Sequence, residues 1–224
     1  MPSSPGPARP EGEPGEIGEA LLRLARTLGE ARLGYALIGA LGAAAFGLAR
    51  LTRDIGLCVD LEPSATAAVD DLLARLAAAG FRVEPGPVRR RLARGIRIIT
   101  VHRGRVRVDL FLRRADGYWD SVLAHRLRRR AFGLELEVAA PEDLIAVKLA
   151  SDRARDHEDA RALLEANRDR LDLPRLRAVA LRLDAAGRRG AGERLERLLR
   201  EAAAPDGPAR RDPGYLMSNF SSLR

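Results

Sequence analysis

The chain has 224 residues, of which 46% are hydrophobic, and a formal charge of +8. This length and apolar content exclude a disordered protein and allow one sizeable core. No run approaches the roughly 18 apolar residues that a membrane span requires, and the N-terminus lacks the apolar region of a secretory signal. The single cysteine, Cys58, excludes an intramolecular disulfide. We therefore predict a cytoplasmic protein with no membrane partner.

The first part of the chain predicts alternating helices and strands. Hydrophobic periodicity and turn residues indicate, in chain order, a disordered tail at 1–14, a helix at 16–31, a strand at 35–38, a small-residue helix at 40–47, a strand at 54–61 and a helix at 63–79. Pro63 is expected at the first position of the last helix, and Gly80 is expected to end that helix.

The second part predicts strands followed only by helices. In chain order it indicates a strand at 81–84, a hairpin of 97–101 and 105–112 around Arg103-Gly104, a helix at 117–125, a strand at 134–138, and helices at 141–153, 156–167, 174–186 and 192–203. The resulting fold class is α/β (α+β), a mixed sheet flanked by helices. We place the core at 15–140, a helical C-terminal part at 141–204 and a flexible tail at 205–224.

The positive charge has two interpretations. A basic balance can indicate a nucleic-acid partner, with Arg89-Arg90-Arg91 and the segment 126–130 as the basic surface. Alternatively, arginine is spread along the chain among acidic residues, and no glutamine occurs, which is typical of a coding bias. The only lysine is Lys148, in a chain that otherwise uses arginine. Its compact charge suits a specific site, since arginine and lysine are not equivalent there.

Two acidic residues lie within apolar strand patterns. Asp54 opens the strand at 54–61, and Asp109 lies inside the strand at 105–112. A carboxylate entering a core is costly unless it is paired or binds a cation. The two could hold Mg²⁺, which prefers a few carboxylates together with phosphate oxygens and waters. Alternatively, each acid pairs with an arginine such as Arg53 or Arg107.

The segment from Tyr35 to Asp60 supplies the context for these acids. A strand leads into a small-residue turn at Gly39-Ala40, where backbone amides can approach phosphates. The segment resembles the signature of AbiEii/AbiGii-toxin-like nucleotidyltransferases, in the DNA polymerase β-like superfamily. The matching residues are Gly39, Gly47, Arg50, Thr52 and Asp54.

A later segment resembles the same family. Pro141-Glu142-Asp143-Leu144 and the following Lys148 are similar to a Pro-Glu-Asp-Leu helix with its lysine, and Arg155-Asp156 through Asp159 is similar to an Arg-Asp-x-x-Asp element. Together the matches cover roughly residues 33 to 165.

Three positions depart from the family pattern. Ala40 replaces the second Gly or Ser of the phosphate turn, and Phe46 stands where many relatives have His. Gly56 replaces the second Asp of the Asp-x-Asp pair. Asp60 is on the same strand face, but about 13 Å beyond position 56 at 3.3 Å per residue, too far to substitute.

The resemblance implies transfer of a nucleoside monophosphate from an NTP, with Mg²⁺ or Mn²⁺, to a tRNA or protein acceptor. It implies Asp54 and Asp109 as metal ligands, with Asp109 also helping to deprotonate the acceptor. Gly39, Ala40, Arg50 and Thr52 would contact the nucleotide, Lys148 would neutralise the triphosphate, and Asp156 would orient Lys148 or a metal.

Three hypotheses stay open at this point. The first is an active enzyme, such as a toxin with a cognate antitoxin. The second is a catalytically degenerate relative that binds nucleotide or regulates, because Gly56 cannot ligate a metal. The third is a plain nucleic-acid-binding protein. For Lys148, the alternative is a solvated charge on a helix face.

Overall fold

A six-stranded mixed sheet forms the centre of the computed structural model, which describes residues 15–48, 52–113, 117–131, 133–188 and 190–203. The strands are β1 (Tyr35–Ile38), β2 (Asp54–Val59), β3 (Ile98–Arg103), β4 (Val106–Leu112), β5 (Leu127–Ala131) and β6 (Leu134–Val138). Their order across the sheet is β3-β4-β2-β1-β6-β5. The pairs β2–β4 and β1–β6 are parallel, and the other three are antiparallel.

Helices surround this sheet. They are α1 (Glu16–Glu30), α2 (Gly39–Ala44), α3 (Thr66–Ala78), α4 (Pro85–Ala93), α5 (Tyr118–Ala124), α6 (Pro141–Leu149), α7 (Ala154–Asn167), α8 (Leu173–Ala185) and α9 (Ala191–Ala203). Among the described residues, no helix is long and apolar enough to cross a membrane. The predicted fold class, a mixed sheet flanked by helices with a helical C-terminal part, is confirmed.

The two faces of the sheet are covered differently. Helices α1 and α3 lie on one face, where Arg103 of β3 reaches Glu19 at 3.7 Å and the carbonyl of Gly80 at 3.5 Å. Helix α5 lies on the opposite face, where Trp119 packs against Phe111 of β4 with 5.5 Å between ring centroids. The alternating apolar residues of β2 and β4 fill the first face, since neighbouring side chains on a strand point in opposite directions.

The C-terminal helices pack around α6. This helix is buried along nearly its whole length, including its acidic first turn, and it contacts α2, α7, α8 and α9. Glu142 and Asp143 in that turn are 6% and 0% exposed and both pair with Arg175 of α8. Burial raises the pKa of Asp143, and the charge of Arg175 opposes that shift. These two ion pairs join α6 to α8.

Two predicted elements between residues 63 and 84 differ from the structure. Pro63 lies in a turn, and α3 begins only at Thr66 after an N-cap at Ala65. The strand predicted at 81–84 is reduced to one bridge between Arg82 and His102. Gly80 does end α3, with a φ of 84° that favours glycine.

Three further differences are two elements that the sequence does not predict and one helix that ends early. Helix α4 and strand β5 were not predicted, because their arginine-rich segments lack an apolar period: β5 is exposed at three successive positions, Arg128 to Arg130. The helix predicted at 141–153 ends at Leu149. There the Ser151 hydroxyl accepts from the Arg153 amide at 3.2 Å and binds the Asp156 carboxylate at 2.7 Å, which forms a turn before α7.

Candidate functional site

Asp54 and Asp109 lie on the same face of two adjacent parallel strands. In the register of β2 and β4, Asp54 is opposite Arg107 and Gly56 is opposite Asp109. The two acids are therefore diagonal neighbours, with Cα atoms about 8 Å apart at normal strand spacing and rise. The register is therefore consistent with the prediction that the two acids converge on one face. Solvent reaches both side chains.

The Asp109 carboxylate already has partners. It accepts a 2.7 Å hydrogen bond from the Thr100 hydroxyl on β3 and pairs with the Arg107 guanidinium at 3.0 Å. The arginine pairing considered as an alternative is thus present for Asp109. The Arg107 side chain is 52% exposed, whereas that of Asp109 is 19% exposed. The guanidinium contacts the carboxylate through two nitrogens, Nε at 3.2 Å and Nη2 at 3.0 Å, so a cation at Asp109 would compete with Arg107.

Asp54 is more open. Its backbone amide donates to the Thr52 hydroxyl at 3.1 Å, so Thr52 fixes the entry of the chain into β2. Its carboxylate is exposed, and within the described part of the chain no ion pair involves it. Arg50, predicted to contact nucleotide, lies outside the described residues.

Gly56 lies beside an apolar side chain rather than beside open space. On the other side of β2, Gly56 is opposite Ile38 of β1. A Cβ atom at position 56 would stand 3.2 Å from the Ile38 Cγ1, closer than most such contacts. The position of the family's second carboxylate is therefore bordered by a hydrocarbon group that must shift to admit any side chain.

The turn at Gly39 adjoins this end of the sheet. Gly39 follows directly after Ile38 and has a φ of 69°, which L-residues with side chains rarely adopt. No atom lies within 4 Å of a Cβ built at Gly39, so the turn faces free space, and Ala40 follows in the first turn of α2. The turn and the two acids thus share one open end of the sheet.

Lys148 lies in a different, closed environment. It is 7% exposed, and its ammonium contacts the carboxylates of Asp159 at 2.6 Å and Asp156 at 3.5 Å. The alternative of a solvated helix-face charge is therefore wrong. Burial would raise the pKa of Asp156, but hydrogen bonding from Ser151 and the charge of Lys148 together lower it below its usual value.

The predicted contact between Asp156 and Lys148 is present, whereas the contact with Asp159 was not anticipated. The signal for it was in the sequence: Asp156 and Asp159 are three residues apart and share one face of α7. No contact links this cluster to Asp54 or Asp109 in the described residues.

The two arginine-rich segments do not form one surface. Helix α4, with Arg89 to Arg91, packs near β3, while the other segment builds β5. Strands β3 and β5 are the opposite edges of the sheet. Five strand spacings separate them by about 24 Å.

A cavity of about 620 Å³ opens between the sheet edge and the C-terminal helices. Sequence reasoning missed it, because its walls come from four distant segments. Its lining includes Phe46, Arg129, Glu142, Asn167, Arg170 and Arg175. The Arg129 guanidinium lies over the Phe46 ring, 5.5 Å from its centroid. The side-chain amide of Asn167 donates to the carbonyl of Phe46 at 3.1 Å, which ties α7 to the end of α2.

The donor set at the open end fits one hard cation. Within the described residues there is no group of three or more Asp, Glu, His or Cys side chains that could hold a metal. Two carboxylates suffice for one Mg²⁺, which takes its remaining ligands from phosphate and water. The same two residues do not suffice for two metals held by protein ligands.

Comparison with known proteins relates the fold to one class. No family model and no curated protein sequence matches the chain. The solution structure of the antibiotic-resistance factor ANT(2'')-Ia is 12% identical, with a TM-score of 0.52, covering 84% of this chain and 99% of that chain. The crystal structure of ANT(2'')-Ia in complex with adenylyl-2''-tobramycin is 12% identical, with a TM-score of 0.50, covering 77% and 99%. The lincosamide antibiotic adenylyltransferase LnuA is more distant, with a TM-score of 0.43 at 15% identity, covering 66% and 96%.

The similarity to ANT(2'')-Ia is one of fold. The chain has a nucleotidyltransferase-type fold, with the mixed sheet and helical C-terminal part that its sequence predicted. At 12% identity, the similarity establishes the architecture, and the chemistry must be argued from the residues.

Proposed function

We propose that the protein is a metal-dependent nucleotidyltransferase of the AbiEii type, which transfers a nucleoside monophosphate from an NTP to an RNA or protein acceptor. The observation that carries this proposal is the placement of Asp54 and Asp109 on one face of adjacent strands, beside the open Gly39 turn. Acting as a toxin restrained by a cognate antitoxin is part of the same proposal.

The chain's own residues would divide the work as follows. Asp54 and Asp109 would bind Mg²⁺ or Mn²⁺, which supplies positive charge at the phosphates. The amides of Gly39 and Ala40 would donate to phosphate oxygens, and Thr52 would keep the backbone of Asp54 in place. Asp109 would accept the proton of the acceptor hydroxyl.

The bond changes are those of a simple displacement. The acceptor oxygen attacks the α-phosphorus of the NTP, and the bond from that phosphorus to the bridging oxygen breaks. Pyrophosphate then leaves with the electron pair of the broken bond. Positioning and charge stabilisation are the main contributions that a protein makes to such a transfer.

A second function is favoured by one specific observation. Gly56 supplies no carboxylate, and the Ile38 side chain borders its position at 3.2 Å from a Cβ. Together with the Arg107 contact on Asp109, this supports a relative that binds nucleotide or regulates without turnover. Such a module would bind NTP and metal weakly and transfer nothing.

The deciding experiment is an assay with labelled NTPs, Mg²⁺ or Mn²⁺, and total tRNA, with a protein fraction and tobramycin as further acceptors. We expect label transfer in the wild type and a loss of at least about 100-fold in Asp109→Asn, because a metal ligand is removed. Asp71→Asn on α3, on the opposite face, is the matched control and should keep full activity.

The outcomes separate the hypotheses. If label transfer survives Asp109→Asn, Asp109 is not part of the active site, and the proposed site is wrong. Absence of transfer in the wild type, together with transfer in Gly56→Asp, favours the degenerate relative. RNA binding that depends steeply on salt and needs neither NTP nor metal favours a plain nucleic-acid-binding protein.

A further inference from the structure

The cavity at the sheet edge combines a closed floor with a cationic rim. Phe46 is 9% exposed and Glu142 is 6% exposed, whereas Arg129 and Arg170 are exposed at its mouth. A volume of about 620 Å³ lies in the range of small-molecule sites, roughly 300–1,000 Å³. A ligand of nucleotide size fits this space.

The charges around the cavity are unequal. Three guanidiniums line it, from Arg129, Arg170 and Arg175, against the single carboxylate of Glu142. Arg175 is neutralised by its contacts with Glu142 at 2.9 Å and with Asp143. Across the residues that the structure describes, Arg129 and Arg170 have no carboxylate partner. Two uncompensated guanidiniums at one opening select an anion, and arginine matches phosphate geometry well.

Arg129 is also held in place. Its guanidinium lies over the Phe46 ring and donates to the carbonyl of Arg128 at 3.1 Å. A guanidinium that is fixed in this way loses less freedom when it binds an oxyanion. Arg129 would therefore contribute more than an unrestrained surface arginine.

The cavity is close to the open end of the sheet but distinct from it. Gly39 begins α2, and Ala45 and Phe46 follow the end of the same helix and line the cavity. Six helical residues span about 9 Å, so the two sites are about one ligand length apart.

We propose that this cavity binds a phosphate-bearing ligand of nucleotide size, with Arg129 and Arg170 as its phosphate contacts. In the nucleotidyl transfer it is the acceptor site, a role that rests on the proposed function. The chemistry selects against cationic acceptors.

Binding is tested by calorimetry on the whole chain in EDTA, with ribose 5-phosphate as the probe and spermidine as the cationic comparison. We expect ribose 5-phosphate to bind and spermidine not to bind. Arg129→Gln and Arg170→Gln should each weaken binding by about tenfold, since each removes a charge-assisted hydrogen bond. Arg26→Gln on α1 removes the same charge from an exposed site on the opposite face and should leave binding unchanged.

A 5′-phosphorylated RNA trinucleotide in the same titration distinguishes two sources of the phosphate. If the natural ligand is an RNA end, the trinucleotide binds more tightly than ribose 5-phosphate. If it is a free metabolite, the trinucleotide does not bind more tightly. Asp109→Asn should retain ribose 5-phosphate binding. Binding without any nucleotidyl transfer would then mean that the proposed function fails while the anion site stands. The proposal would be overturned by absence of ribose 5-phosphate binding, by wild-type affinity in both cavity variants, or by binding of spermidine alone.

Discussion

Two acidic regions of this fold carry the family resemblance, and they differ in access to solvent. At the open end of the sheet, the Asp54 side chain is exposed, and the Asp109 side chain is 19% exposed and pairs with a half-exposed arginine. Around α6 and α7, Asp156 and Asp159 enclose a lysine that is 7% exposed. In the first region, the Asp54 carboxylate is free of ion pairs with described residues and solvent reaches Asp109, whereas in the second region both carboxylates contact the buried lysine.

The difference shows that a motif match does not fix the role of a charge. Two carboxylates surround one ammonium at the Lys148 cluster, so that cation is more than compensated before any substrate arrives. The main role of a lysine in this state is structural, since it links α6 to α7. Its predicted role on the triphosphate stays a prediction, and the following variants separate the two regions.

The largest expected effect comes from Lys148→Met. Removing one partner of a buried ion pair leaves uncompensated charge and costs about 3–5 kcal/mol of unfolding free energy. Urea denaturation, with the transition midpoint and slope, measures this loss. Arg200→Met on the exposed face of α9 is the control, and it should change stability by less than about 0.5 kcal/mol.

The contrary outcome is also informative. If Lys148→Met kept the stability of the wild type and instead lost affinity for NTP, the lysine would belong to the nucleotide site. The two regions would then form one functional centre.

The sequence predicted much of the fold, because periodicity and turn residues are local signals. Strand β2 and helices α7 and α8 were placed within one or two residues of their bounds. Strand β5 was missed because three exposed arginines at an edge carry no apolar alternation. The cavity was missed because its walls meet only through the β1–β6 pairing and the packing of α6, which are long-range contacts.

The candidate site could be predicted only in part, because strand alternation is a local signal and the contacts around the site are long-range. The shared face of Asp54 and Asp109 follows from strand alternation once the two strands are neighbours. The sequence allows an arginine partner for Asp109, but it does not distinguish that pairing from a cation site. The Ile38 side chain beside Gly56 could not be foreseen, because it depends on the antiparallel register of β1 and β2.

An intermediate effect is expected from Gly56→Asp. The new carboxylate would join Asp54 and Asp109 on one face, and we expect metal affinity to rise by at least about tenfold, comparable to the loss seen when metal-site partners are removed. Titration of Mn²⁺ by electron paramagnetic resonance measures it. Gly56→Ala is the matched control, because it brings the same Cβ against Ile38 without the carboxylate. Equal affinities in the two variants would show that the open end is not a cation site.

The smallest expected effect comes from Arg107→Gln. The Arg107 guanidinium contacts the Asp109 carboxylate at 3.0 Å and competes with any cation for it. Ion pairs that solvent reaches are worth about 0.2–1 kcal/mol, and the Arg107 side chain is half exposed, so removing it should raise Mn²⁺ affinity by up to about fivefold. Arg105→Gln, in the turn two residues before Arg107, removes the same charge from an exposed position without that contact and should change affinity much less. A similar gain in both variants would mean that the overall positive charge, rather than release of Asp109, sets the Mn²⁺ affinity. The open end would then differ less from the closed Lys148 cluster than the contacts suggest.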